Sequence, residues 1–292
     1  MGKKTKSIFI LAVFSVIIFI GGCESTKPVI QTGSLPQNFV PVKHLVFIGL
    51  DGWGGYYVPK ANMPTVKRMM ANGAWTLRAR SVKPSVSWPN WSSIYNGAPP
   101  EQRKKEDFPS IFTLLRNNGQ ANKSAFFHEW DELLKLYNVE AVNIQKIHSD
   151  IESAGKIASY IKEQKPVFIA MDFDEPDTTG HRIGWGSKAY FTKLEEMEKI
   201  IAVIEQAVKD AGIYDSTVFV MSADHGGVFK GHGGYFPRQY SIPMIFYGSG
   251  IKEGFKITSR VNIYDITPTM ATLLGMEIPK EWTGRILYEV FK

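Results

Sequence analysis

Short, near-continuous apolar runs alternate along the chain with longer amphipathic stretches. Leu45-Val46-Phe47-Ile48-Gly49-Leu50 ends on Asp51, and Val167-Phe168-Ile169-Ala170-Met171 ends on Asp172. Val218-Phe219-Val220-Met221 leads through Ser222 and Ala223 to Asp224, and a fourth run spans Ile242 to Tyr247. Runs without polar positions suit strands covered on both faces, as in a parallel sheet. Between them, Pro64 to Asn72 opens on proline and closes at Gly73, Ser110 to Asn118 closes at Gly119, and Asp150 to Gln164 stops before Pro166. These boundary residues predict helices. The longest helix, about Ser187 to Ala211, sets Leu194, Met197, Ile201, Ile204, Val208 and Ala211 on one face and ends at Gly212. Strands alternating with helices predict an α/β fold with a mostly parallel sheet. Ligand sites in such sheets lie beyond the carboxyl ends of the strands, where Asp51, Asp172 and Asp224 are expected to emerge.

The pattern changes at the front. Lys3, Lys4 and Lys6 precede an apolar run from Ile8 to Ile20, then Gly21, Gly22 and Cys23. A basic segment, an apolar core and small residues describe a secretory signal. The run is shorter than the ~20 residues a membrane span needs. Cys23, directly after Ile20-Gly21-Gly22, resembles the lipobox cysteine of bacterial lipoproteins, which becomes the lipidated first residue of the mature protein. Residues 1–22 are therefore expected to be a lipoprotein signal peptide, with an uncut anchor helix as the alternative. Residues 23–42, with Pro28, Gly33, Pro36 and Pro41, read as a flexible tether, and residues 43–292 as one folded domain. The expected location is outside the cytoplasm, lipid-anchored to a bacterial cell membrane on its periplasmic or cell-surface face.

Composition adds exclusions. With 44% apolar residues among 292, the chain is neither disordered nor collagen-like. Its one cysteine excludes an internal disulfide and a Cys-rich zinc or iron–sulfur site. Half of the formal charge of +6 comes from Lys3, Lys4 and Lys6, so no nucleic-acid partner is expected.

Histidine is scarce, six in all. His44, His128 and His148 sit in polar or helical surroundings and read as structural or surface residues. The other three are packed among glycines: Thr179-Gly180-His181, Asp224-His225-Gly226-Gly227 and Gly231-His232-Gly233-Gly234. Glycine permits the tight turns and close backbone approach that a metal cage at loop tips requires. Asp177 lies four residues before His181, and Asp224 directly precedes His225. Imidazole with carboxylate suits zinc and, less exclusively, manganese or iron. Singly, an Asp–His pair reads as a capped turn or a surface hydrogen bond. Three glycine-flanked histidines with three strand-end aspartates point to a metal site, and exceed the four ligands of one tetrahedral zinc. Two divalent metals, zinc first among them, are the expected count.

Two cations ~4 Å apart clamp the attacking and leaving oxygens of a displacement at phosphorus, which calls for a nucleophile nearby. Ser87 is placed for that role. Pro89 suits the first turn of a helix running to about Tyr95 and ended by Asn96-Gly97, so Ser87 falls just before a helix N-terminus. That position favours an anionic phosphoryl group, and a serine hydroxyl held at a metal loses its proton readily. An ordinary N-cap serine is the other reading.

The set Gly49-Leu50-Asp51-Gly52, Ser87-Trp88-Pro89-Asn90-Trp91, Pro176-Asp177-Thr178-Thr179-Gly180-His181 and Ala223-Asp224-His225-Gly226 resembles the alkaline phosphatase superfamily. Within it, the nearest branch is the type I phosphodiesterase/nucleotide pyrophosphatase family, from about His44 to the end. The tail, Asp265-Ile266-Thr267-Pro268-Thr269 with Leu273-Leu274-Gly275 and Pro279 to Arg285, resembles the family's closing helix and strand. The resemblance implies a three-layer α/β sandwich and a metal-dependent hydrolase of small phosphate esters, nucleotides possible among them. It implies one zinc held by Asp51, Ser87, Asp224 and His225, with Ser87 as nucleophile and a phosphoseryl intermediate. Asp177, His181 and His232 would hold the other zinc. Asn90, through its amide, and the backbone N–H of Trp88 would bind a nonbridging phosphoryl oxygen.

The pattern also departs from the family's. His232 follows His225 by only seven residues, whereas larger phosphodiesterases place their last histidine far beyond; this points to a compact bacterial branch without that insertion. Ser85 is a rival nucleophile, but Ser87 stands three residues before Asn90, as in relatives. No arginine follows Pro89 in the Cys/Ser-x-Pro-x-Arg setting of sulfatases, which disfavours that activity. A phosphomonoesterase of the same superfamily remains an alternative, although no clear arginine clamp for a dianion is visible. So does a non-catalytic surface lipoprotein that keeps the fold. Trp53, Tyr56, Tyr57, Trp88, Trp91 and Trp185 cluster near the motifs, either to stack on a nucleobase or to fill the core.

Overall fold

The computed structural model describes residue 2 and residues 33–103, 108–136 and 138–292. The expected signal peptide, Cys23 and the first part of the expected tether lie outside the described residues.

Eight strands form one sheet: β1 (His44–Leu50), β2 (Ala74–Arg80), β3 (Ser124–His128), β4 (Asn143–Lys146), β5 (Phe168–Phe173), β6 (Thr217–Ser222), β7 (Ser241–Gly248) and β8 (Phe255–Lys256). Their order is β4-β3-β5-β1-β6-β7-β2-β8. All neighbours are parallel except β7, which runs against both β6 and β2. This is the mostly parallel α/β sheet that the apolar runs predict. Every residue of β5 and β6 is buried, which is why their sequences carry almost no polar position. The register pairs Leu50 with Phe173 and Gly49 with Ser222, so β1, β5 and β6 end side by side.

Among the described residues, eight α-helices cover the sheet: α1 (Pro64–Ala71), α2 (Ser87–Asn96), α3 (Ile111–Asn117), α4 (Ile151–Gln164), α5 (Asp177–Ile183), α6 (Lys188–Asp210), α7 (Pro237–Tyr240) and α8 (Ile266–Leu273). α6 packs against α1, α4 and α5, while α2, α3 and α8 pack together, and the sheet between these groups makes three layers. α6 buries Leu194, Met197, Ile201, Ile204 and Val208, the face its periodicity predicts. Glu198 on the same helix does separate work. Its carboxylate accepts hydrogen bonds from the backbone N–H of Thr65 and of Val66, the second at 3.2 Å. Met63, the N-cap of α1, has no side-chain acceptor, so a glutamate from another helix caps α1 and meets the positive end of its dipole.

Some expectations change. β5 extends to Phe173, so Asp172 stays inside the strand instead of emerging from it. The segment around His181 is a helix, α5, although its glycine suggested a loop tip. Of the expected tether, Phe39 packs edge-on against Phe291 at 5.2 Å and Val42 N–H donates to Leu273 O at 2.8 Å. The packed domain therefore begins by Phe39 rather than at residue 43. The closing helix forms as α8, but no strand follows it among the described residues; Phe291 makes a single bridge to Ile251. No helix among the described residues is long and apolar enough to cross a membrane.

Candidate active site

Three strand-to-loop junctions and the start of α2 converge at one edge of the sheet. Asp51 leaves β1 with its N–H donated to Phe173 O at 2.9 Å. Gly52 follows at φ +69°, a conformation that favours glycine, and a Cβ there would sit 2.9 Å from Asp177 Cα. Asp224 follows β6, and its Oδ1 accepts from Gly52 N–H at 3.1 Å and His225 N–H at 2.8 Å. Asp177 opens α5, so His181 four residues on shares its helix face. His232 lies on the segment between β6 and α7. Ser87 is the first residue of α2, its Oγ 3.2 Å from His225 Nε2. Pro89 falls third in that helix. In the first turn the N–H groups of Ser87 and Trp88 have no intrahelical acceptor, and Val86 supplies no side-chain cap.

The predicted ligands meet around Asp177. His225 Nε2 lies 3.2 Å from Asp224 Oδ2, 3.5 Å from Asp51 Oδ1 and 3.9 Å from Asp177 Oδ1. His232 Nε2 lies 3.8 Å from Asp177 Oδ1 and 2.9 Å from His181 Nε2, which is 3.4 Å from Asp177 Oδ2. Two triads result, Asp51/Asp177/His225 and Asp177/His181/His232, each with ligand atoms within 4.8 Å of one another. All three imidazoles are held alike. Nδ1 faces a backbone carbonyl in each: Gly226 O at 3.0 Å for His225, Lys230 O at 3.1 Å for His181 and Ser85 O at 2.9 Å for His232. A carbonyl only accepts, so Nδ1 carries the proton and the Nε2 lone pair faces the cluster.

Electrostatics make the donor set a good fit for cations. Burial pushes the Asp51 carboxyl well up, helped by the Asp224 and Asp177 charges. Burial raises Asp224 to about 8, with the Asp177 charge adding to it, and burial raises Asp177 to about 6. Burial also drives His225 well below the usual imidazole range. Meanwhile Asp51 Oδ1, Asp177 Oδ1 and Asp224 Oδ2 are buried oxygens without a hydrogen-bond partner. The Nε2 lone pairs of His181 and His232 face each other at 2.9 Å. Unpartnered carboxylate oxygens and opposed lone pairs at one spot are what divalent ions bound there would satisfy.

Other predicted residues stand apart. Asp172 accepts the Tyr95 hydroxyl at 2.7 Å beneath the site, and burial raises its carboxyl well above the usual range. It belongs to neither triad. Asn90 is fully buried; its Oδ1 accepts from Val82 N–H at 2.7 Å and its amide donates to Val86 O at 2.9 Å. It clamps the segment before α2, whereas the resemblance assigned its amide to the phosphoryl group. Ser85 is fully buried, and its hydroxyl donates to Gly234 O at 3.3 Å. Trp53, Tyr57, Trp91 and Trp185 are core residues, while Tyr56 and Trp88 are exposed. Sequence reasoning missed one positioning contact: Trp91 Nε1–H donates to Asp51 Oδ2 at 3.0 Å. Its signal was present, since Trp91 follows Ser87 by one helical turn.

A family model described as type I phosphodiesterase / nucleotide pyrophosphatase matches residues 45–104 and 116–230. The chain belongs to this family. The match spans Asp51, Ser87, Asp177, His181, Asp224 and His225, and stops two residues short of His232. A sulfatase family model matches residues 185–276, in keeping with membership of the alkaline phosphatase superfamily. GPI ethanolamine phosphate transferase 2 of Aspergillus fumigatus is 34% identical over 133 residues, 41% of this phosphodiesterase-family chain and 17% of that protein. Ectonucleotide pyrophosphatase/phosphodiesterase family member 1 of Mus musculus is 23% identical over 245 residues, 70% of this chain and 26% of that one. The chain thus spans well under half of either relative. The structure of murine ectonucleotide pyrophosphatase / phosphodiesterase 5 in complex with AMP superposes with a TM-score of 0.69 over 86% of this chain and 100% of that one. At 11% identity it shows the shared fold.

Proposed function

We propose that this chain hydrolyses phosphate diesters at a site of two divalent metal ions, with Ser87 as nucleophile. The observation that carries the reading is the convergence of Asp51, Asp177, His181, Asp224, His225 and His232 around the Ser87 hydroxyl. Asp51, Ser87, Asp224 and His225 would hold one ion, and Asp177, His181 and His232 the other, zinc being the best match to this donor set. Ions bound there would neutralise the crowded carboxylates, acidify the serine hydroxyl and withdraw charge from the departing oxygen.

The chain's own residues supply the rest. Ser87 Oγ attacks phosphorus while the bond to the leaving alcohol oxygen breaks, giving a phosphoseryl ester. Water then attacks phosphorus from the side the alcohol left, and the Ser87 oxygen departs and regains its proton. The unpaired N–H groups of Ser87 and Trp88 lie where a nonbridging oxygen gains charge during both steps. The sulfatase-model match runs over residues 185–276, so it takes in Asp224, His225 and His232 and leaves out Ser87, Asp51, Asp177 and His181.

Assays on p-nitrophenyl phosphate, bis(p-nitrophenyl) phosphate and p-nitrophenyl sulfate with the zinc-loaded protein test this reading. The diester is expected to turn over fastest; a preference for the monoester would favour the phosphomonoesterase, and silence on all three a non-catalytic lipoprotein. Ser87→Ala is expected to abolish turnover with about two metals still bound per chain, and retained activity would sink the assignment. The same proposal places the domain outside the cytoplasm on a lipid attached to Cys23. Labelled fatty acid should enter the wild-type chain in a bacterial host and be absent from Cys23→Ser.

A further inference from the structure

We infer that a basic cleft beside α2 binds a second anionic group of the substrate, apart from the ester that is cleaved; this rests on the phosphoesterase reading above. The cleft, about 410 Å³, lies between the segment that follows β2 and the turn that precedes α8. Arg80, Lys83 and Arg260 line it, with one carboxylate among the described residues, Glu101. Among the described residues, none of these four makes an ion pair. The Lys83 ammonium is instead set 4.9 Å from the Tyr240 ring centre.

The fold puts this cleft on the working edge of the sheet. Because β7 runs against both β6 and β2, the end of β2 at Arg80 lies at the edge where β1 and β6 deliver Asp51 and Asp224. The floor is built by backbone bonds, Arg80 N–H to Val261 O and Ser81 N–H to Tyr240 O, both 2.9 Å. One wall is shared with the nucleophile helix: Asn90 Oδ1, on the turn of α2 that begins at Ser87, accepts from Val82 N–H at 2.7 Å. Among the described residues, three cations and one carboxylate in a concave site concentrate positive potential. Guanidinium forks match the paired oxygens of phosphate or sulfate. The proposed metal site would take the ester that is cleaved, which leaves the cleft for the second anionic group of a doubly anionic substrate.

Two p-nitrophenyl phosphodiesters with the same leaving group test this on the metal-loaded full chain. One is the diester of glycerol, and the other the diester of glycerol bearing a second phosphate. KM is expected to be roughly tenfold to a hundredfold lower for the second, the worth of a charge-assisted contact. The Arg80→Ala/Arg260→Ala double variant should raise that KM to the level of the glycerol diester. Equal KM values in the wild type, or a difference that survives in the double variant, overturns the inference. Calorimetric titration with inorganic phosphate gives a readout that needs no turnover. Wild type should bind one equivalent more than the double variant at constant ionic strength, and equal stoichiometry overturns the cleft as an anion site. If neither diester is turned over, the phosphoesterase reading fails, and the phosphate titration still decides the cleft.

Discussion

Replacing Trp91 by phenylalanine removes one hydrogen bond from one proposed metal ligand, Asp51, and leaves every proposed ligand in place. The indole N–H reaches Asp51 Oδ2 at 3.0 Å, while the other oxygen, Oδ1, is unpartnered and turned toward His225 Nε2 at 3.5 Å. The bond therefore fixes which oxygen faces the cluster, and it favours the ionised carboxyl that a cation needs. A hydrogen bond to a charged acceptor contributes about 1.5–3 kcal/mol. At about 1.4 kcal/mol per decade, its loss should weaken metal binding roughly 10- to 100-fold, the range seen when outer partners of metal ligands are removed. The smaller ring also leaves space under Gly49, where a Cβ would now meet the indole at 2.5 Å, so some fold stability is lost as well. Competition with a chromophoric chelator measures the first effect, and thermal melting in EDTA the second. Unchanged metal affinity in a variant that still melts cooperatively would refute the role given to Trp91.

Glu198→Ala should destabilise the fold by about 2–4 kcal/mol, because two N–H groups of α1 lose a buried charged acceptor, and lower Tm by roughly 5–10 °C. Glu198→Gln should cost less, and a melting curve matching wild type for Glu198→Ala would count against the capping. In EDTA, stability should fall as pH rises from about 4 to about 8: Asp177 at about 6 and Asp224 at about 8 bind protons more tightly when folded than at the ordinary 3.8. Zinc should reverse the slope, and a metal-free Tm that rises over this window contradicts the crowding of carboxylates. Gly227→Ala sets a Cβ 2.2 Å from the Trp185 ring, which lies 5.1 Å from His181 and 6.0 Å from His232 between ring centres. A loss of about 1–3 kcal/mol together with weaker metal binding is expected, and a variant with wild-type tryptophan fluorescence and melting would show that the contact yields freely.

The central strands are legible because burial on both faces leaves no room for polar residues, and β1, β5, β6 and β7 all read as apolar runs. β2 is not legible: near the sheet edge its Trp75 and Leu77 are half-buried and its Arg78 and Arg80 exposed, so the run looks mixed. β3 has too few apolar residues to stand out between Lys123 and Glu129. The ligand set is legible because histidines beside glycine and aspartate are rare in this chain. Placing them needed more. Asp172 and Asp224 look alike in sequence, yet one further strand residue buries Asp172 against Tyr95 while Asp224 reaches the site. Glycine and proline around Asp177 masked a helix whose four-residue spacing is what aligns it with His181. Glu198 offered no signal, since its partners are backbone groups 132 and 133 residues away.

The three imidazoles of the proposed metal site are all aimed by main-chain carbonyls, those of Gly226, Lys230 and Ser85. Every residue type carries that carbonyl, so the aim of the metal site is written in the path of the chain and not in the identity of its neighbours. The exposed side chain at Lys230 is free to drift over generations without turning a ring, and at Ser85 the limits are the space around a buried hydroxyl and its bond to Gly234 O, whereas a one-residue insertion or deletion in either loop misdirects a ring at once. The proposed site is thus more tolerant of substitution at Lys230 than of changes in loop length, and a library that varies length in the 226–236 segment should lose metal far more often than one that varies composition at position 230.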